Sequence, residues 1–93
     1  MNKKYTILFV EDEEAICSSM TLLLSKNEKY HAIGYHVNEN LDPHKLTKDF
    51  GTCIDVLIAD YYIPGCDGIT LIETFKETPN NKIKVYSTNS KKY

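Results

Sequence analysis

Two runs of this chain, Thr6-Ile7-Leu8-Phe9-Val10 and Val56-Leu57-Ile58-Ala59, are apolar without interruption and only four or five residues long. A strand with one wet face alternates apolar and polar residues. An unbroken short run is what a strand covered on both faces requires. Between these runs the period changes. Ile16, Met20, Leu23 and Leu24 fall at i, i+4, i+7 and i+8, so Glu13 to Asn27 predicts a helix with one apolar stripe toward the core. Strand alternating with helix predicts an α/β chain whose parallel sheet is joined by right-handed crossovers.

The remaining segments keep that order. Tyr30 to Val37 predicts a second strand, more polar than the others and therefore near a sheet edge. Pro43 to Phe50 predicts a short helix, with Asp42 as N-cap, Pro43 at the first helical position and Gly51 just past the end. Val56 to Ala59 is the third strand. A third helix runs from Gly68 or Ile69 to Glu77, with Asp67 as its cap and Ile69, Ile72 and Phe75 facing the core. Thr78-Pro79-Asn80-Asn81 ends it, and Ile83 to Ser87 is the fourth strand.

Ninety-three residues read as a single domain, 1–93, that buries about 60–65% of its unfolded surface and so has a modest core. No apolar run is long enough to span a membrane. The N-terminal run is too short for a signal peptide and leads straight into acids. A net charge of −2 gives no electrostatic basis for binding nucleic acid. Cys17, Cys53 and Cys66 are odd in number and widely spaced, which suits reduced thiols in a cytoplasmic protein better than a bridge framework or a metal site. His31 and His36 fall on opposite faces of the second strand, so they read as solvated edge residues rather than as a ligand pair.

Polar groups collect at three strand ends. Glu11-Asp12-Glu13-Glu14 follows the first strand, Asp60 ends the third, and Ser87 and Thr88 end the fourth. In a parallel sheet, reactive groups gather at the carboxyl ends of the strands, where the strand order reverses. If the first and third strands are neighbours, Glu11, Asp12 and Asp60 converge. Three close carboxylates resist ionising together unless a cation neutralises them. Magnesium suits such a set, because it takes few carboxylates and draws its other ligands from water and phosphate oxygens. The pattern therefore points to Mg²⁺-assisted phosphoryl chemistry, with Asp60 as the natural nucleophile and Ser87 placed to bond a phosphate oxygen. Tyr62 can turn its main-chain carbonyl to the metal, Pro64-Gly65 makes a tight turn, and Gly68 lets the backbone pass close to the site. Each feature has a plainer reading. Glu11 to Glu14 complement a helix N-terminus, Asp67 is a cap, and Ser87 is a strand-end hydroxyl. Asp60 resists such a reading, since an acid ending an apolar central strand is costly unless it is partnered.

ILFVEDE (7–13), DVLIADYYIPGCDG (55–68) and KVYST (84–88) together resemble the receiver domain of bacterial two-component response regulators. The resemblance covers nearly the whole chain. It implies a flavodoxin-like fold with strand order 2-1-3-4, phosphorylation of Asp60 by a sensor histidine kinase, and Mg²⁺ held by Glu11, Asp12, Asp60 and the Tyr62 main-chain carbonyl. Ser87, 27 positions past Asp60, is then the switch hydroxyl, with Thr88 as the alternative.

Departures from the family pattern set further expectations. Glu11 stands where aspartate is commoner and is longer by one methylene. The family fold has five strand–helix units, of which this chain holds three and a fourth strand. The last helix–strand–helix is lacking, and with it a switch aromatic and the lysine that pairs with the phosphoryl group. Lys91 and Lys92 lie too near Ser87 to serve as that lysine. A fourth strand with an open edge implies self-association, a dimer for example, or marginal stability as a monomer. Two rival functions follow. One is a pseudo-receiver, an interaction or oligomerisation module without phosphotransfer. The other is an aspartyl-nucleophile phosphatase, which needs an acid two residues past the nucleophile, where Tyr62 stands.

Overall fold

The computed structural model describes residues 4–60, 62–77 and 84–88; for Tyr62 and for 84–88 it describes the backbone alone. The elements are β1 (Tyr5–Glu11), α1 (Glu14–Ser25), β2 (Tyr30–His36), α2 (Pro43–Phe50), β3 (Val56–Asp60), β4 (Tyr62–Ile63), β5 (Cys66–Asp67), α3 (Gly68–Lys76) and β6 (Lys84–Thr88). The long strands form a parallel sheet in the order β2-β1-β3-β6, which is the expected 2-1-3-4. The chain steps from β1 outward to β2, then crosses back over β1 to reach β3. Right-handed crossovers in opposite directions put α1 on one face and α2 and α3 on the other. The strand order therefore reverses between β1 and β3, and their carboxyl ends open into a crevice there.

The apolar run of β1 is covered on both faces as expected, with Ile7, Leu8, Phe9 and Val10 all buried. On β3, by contrast, Leu57 and Ala59 are buried and Val56 and Ile58 only half-buried, so one face of that run is incompletely covered. One core cluster joins Leu8, Val10, Leu57 and Ala59 to Leu46, Leu71 and Phe75 on the α2/α3 side. β2 lies at the sheet edge, in keeping with its more polar sequence. Gly34 meets α1 so closely that a methyl group there would overlap Thr21 Oγ1. At the amino ends, Asp55 ties β1 to β3 twice. Its carboxylate accepts from Thr6 N–H at 2.8 Å, and its own N–H donates to the Thr6 carbonyl at 2.8 Å.

The caps act as the sequence implies. Asp42 Oδ1 accepts from the N–H groups of His44 (3.0 Å) and Lys45 (3.4 Å), and Gly51 closes α2. Asp67 Oδ1 accepts from Thr70 N–H at 2.7 Å, a bond that holds its carboxyl below the usual range. Pro64-Gly65 turns a two-stranded hairpin, β4 against β5, that the apolar pattern does not announce. Gly65 has φ +95°, and a Cβ on it would strike the Leu41 backbone, so the position requires glycine twice over.

Two helix faces differ from the expected ones. On α1 the buried residue is Cys17, with Met20, Thr21 and Leu24 half-buried, whereas Ile16 and Leu23 are exposed. The helix is turned so that small side chains meet the sheet at Gly34, and the bulkier Ile16 and Leu23 stand outside that close contact. On α3, Ile69 is 50% exposed and Leu71 0%. The buried face is Gly68, Leu71, Ile72 and Phe75, a full i, i+3, i+4, i+7 stripe, rather than Ile69, Ile72 and Phe75. The expected helix break at 78–81 and the expected strand start at Ile83 lie outside the described residues, and β6 runs to Thr88, one residue past the expected Ser87.

Candidate functional site

β1 and β3 run side by side in the register Val10↔Ala59, so one step further Glu11 and Asp60 stand level at the carboxyl end. Both are buried, Glu11 at 1% exposure and Asp60 at 0%. Asp12 follows Glu11 and is half-buried. Glu11, Asp12 and Asp60 each place a carboxylate oxygen within 4.8 Å of the others. Parallel pairing of two apolar strands thus assembles the cluster, since each acid is the residue at which its strand leaves the core.

Burial raises the Glu11 carboxyl to about 7 against an ordinary 4.5. The Glu13 N–H, donating to Glu11 Oε2 at 3.1 Å, pulls it the other way. A hydrogen bond with the Asp12 carboxyl and the charges of Asp60 and Asp12 add to the rise. Such a pocket gains from any cation that offsets those charges. Three carboxylate donors from two strand ends form the hard-oxygen set that magnesium takes, and among the described residues no histidine or cysteine joins them. The donor chemistry therefore fits Mg²⁺.

The other anticipated residues lie on β4 and β6. Tyr62 opens β4 two residues past Asp60 and pairs with Asp67. Ser87 and Thr88 lie on β6 opposite Ala59 and Asp60 respectively, so both backbones reach the level of the phosphoacceptor candidate. Their side chains lie outside the described residues. The sequence reading missed His36. Its Nε2 is 3.2 Å from the Asp12 carbonyl oxygen, across the strand boundary. The signal available was its place at the carboxyl end of a strand neighbouring β1, in register with Glu11. The loop after β2 is tied to the hairpin by Leu41 N–H donating to the Pro64 carbonyl at 2.8 Å. Cys17, Cys53 and Cys66 are all free, as expected.

An open parallel sheet with acids gathered at its switch point defines an α/β module with an acidic pocket at the carboxyl ends of its strands, rather than a barrel or a helical scaffold. Residues 7–93 match the response regulator receiver domain, and the chain belongs to that family. No curated protein matches the sequence. Among solved structures, a response regulator receiver protein from Pseudomonas putida is similar at TM-score 0.71 and 17% identity, over 95% of this chain and 69% of that one. The RcsB response regulator of Salmonella typhimurium is similar at TM-score 0.71 and 23% identity, over 94% of this chain and 42% of that one. The chain thus spans about two thirds of the first and under half of the second. These likenesses show the flavodoxin-like receiver fold.

Proposed function

We propose that this chain is the phosphoacceptor module of a two-component phosphorelay, receiving a phosphoryl group on Asp60 from a sensor histidine kinase. An oxygen of the Asp60 carboxylate forms the bond to phosphorus as the P–N bond of the kinase's phosphohistidine breaks, and the released imidazole nitrogen takes a proton. The observation that carries the reading is the convergence of Glu11, Asp12 and Asp60 at the carboxyl ends of β1 and β3. Glu11, Asp12, Asp60 and the Tyr62 main-chain carbonyl would hold Mg²⁺, which when bound neutralises the acids and the charge on the transferring oxygens. Burial of Asp60 at the end of a central strand fixes its direction of attack and limits access of water. Ser87 is assigned as the hydroxyl that turns to the phosphoryl group, with Thr88 one step beyond. The chain changes its own state and does not turn over external substrates. The cytoplasm is its proposed compartment, a reading supported by three free thiols; among the described residues no helix is long and apolar enough to cross a membrane.

Self-association is a second element of the proposal. Among the described residues β6 is paired on one side only, by β3, and Val56 and Ile58 of β3 are half-buried. Sedimentation of a cooperatively folding monomer across the micromolar range would refute it.

The phosphoacceptor reading is tested by intact-protein mass spectrometry after incubation with acetyl phosphate or phosphoramidate. One phosphoryl adduct is expected, dependent on Mg²⁺ and lost in Asp60→Ala. A folded protein that binds Mg²⁺ but gains no adduct would instead be a pseudo-receiver.

A further inference from the structure

The peptide unit that follows Asp12 is tied to both acids on the β1 side of the pocket, and it is gripped from both ends. The peptide between Asp12 and Glu13 has its N–H donating to Glu11 Oε2 at 3.1 Å. Its carbonyl oxygen lies 3.2 Å from Nε2 of His36. A carbonyl oxygen only accepts, so Nε2 carries the hydrogen and His36 is the donor. β2 also holds the preceding residue, because Val37 N–H donates to the Glu11 carbonyl at 2.9 Å and extends the ladder past the end of the strand. The grips share a consequence. Rotation of the Asp12–Glu13 peptide about its flanking bonds would break the His36 bond at one end and release the Glu11 carboxylate at the other. The orientation of that plane sets where the Asp12 side chain leaves the backbone and where Glu11 aims its second oxygen.

We infer that His36 is a positioning residue for the acidic pocket: it locks the Asp12–Glu13 peptide so that the carboxylates of Glu11 and Asp12 converge with that of Asp60. The inference rests on the reading that these three acids hold a cation. His36 is not one of the three carboxylates that would hold a cation; it acts through the backbone of Asp12. It also explains how a glutamate serves at position 11. The longer side chain folds back onto the Glu13 N–H, and the His36 bond keeps that N–H pointing at it.

The experiment is a calorimetric Mg²⁺ titration of the 93-residue chain and of three variants, with urea unfolding of each and amide exchange of Glu13 measured without cation. His36→Leu removes the donor, and His36→Asn keeps an amide but stops short of the carbonyl. His36→Gln carries its amide nitrogen to the place of Nε2. Loss of an ordering bond next to ligands predicts Mg²⁺ affinity about three- to tenfold weaker in His36→Leu and His36→Asn. His36→Gln is expected within about twofold of the unaltered chain. Urea midpoints should stay together, since the ring is exposed, while the Glu13 amide exchanges faster in the first two variants. Equal Mg²⁺ affinity in His36→Leu and His36→Asn, or a loss that His36→Gln fails to restore, overturns the inference and leaves the pocket reading standing. Absence of Mg²⁺ binding by the unaltered chain overturns both.

Discussion

Replacing Asp60 with asparagine should stabilise the metal-free protein. The substitution keeps size and shape, so the core around the end of β3 is undisturbed, and it deletes one of three charges that lie close together in a buried pocket. At the 4.8 Å that bounds the donor atoms, two full charges repel by about 3–4 kcal/mol at an effective dielectric constant near 20. Rearrangement of the side chains and water at the mouth reduces this, leaving an expected gain of about 2 kcal/mol at pH 8, where Glu11 is ionised. For a domain of this size that corresponds to a rise of roughly 10 °C in Tm. The assay is urea and thermal unfolding followed by far-UV circular dichroism in the presence of a chelator. At pH 5, where Glu11 is protonated, the gain should shrink. Saturating Mg²⁺ should stabilise the unaltered chain more than the variant and so close the gap from the other side. Asp55→Ala is the control, because that carboxylate accepts the Thr6 N–H and its loss should cost about 1–2 kcal/mol. If Asp60→Asn is no more stable than the unaltered chain at pH 8 without metal, the three acids are not in mutual repulsion and the argument fails.

Three further outcomes are expected. Glu11 has a folded-state value of about 7 against 4.5, so the stability it contributes is fully present below about pH 4.5 and is lost as pH rises to about 7. That loss is on the order of 3 kcal/mol in the absence of Mg²⁺, and urea midpoints across pH 4–8 should show it and lose it in Glu11→Gln. Leu71→Ala should cost about 2–5 kcal/mol and Ile69→Ala less than about 1 kcal/mol, since only the former empties a filled core site; equal losses would contradict the assigned face of α3. Gly65→Ala should cost at least about 2 kcal/mol, from the left-handed backbone and the collision with Leu41 together, and a neutral result in chemical unfolding would refute the turn.

Much of the pocket is legible in the sequence, and the reasons are local. Apolar runs that end in Glu11 and in Asp60 mark where two buried strands reach water, and period alone tells strand from helix on either side. Asp42, Pro43, Gly51 and Asp67 punctuate helices through hydrogen bonds that span only a few residues, so their roles survive without a fold. Pro64-Gly65 declares its turn through the dihedral restriction of one residue and the freedom of the other.

What tertiary structure alone decided involves contacts between elements distant in the chain. The rotation of α1 follows from Gly34 on β2, whose missing side chain admits Thr21 and Cys17 and leaves Leu23 outside. The inward face of α3 follows from the core shared with α2 and β3, which takes Leu71 and excludes Ile69. Three acids at sequence distances of one and 48 become a single site only because β1 and β3 pair in the register that Asp55 and Thr6 pin at the other end. His36 acquires a function through a bond to a backbone carbonyl 24 residues away. A side chain's own chemistry can be read from the sequence, but which backbone group it meets depends on strand register and helix rotation, and those are settled by packing across the whole domain.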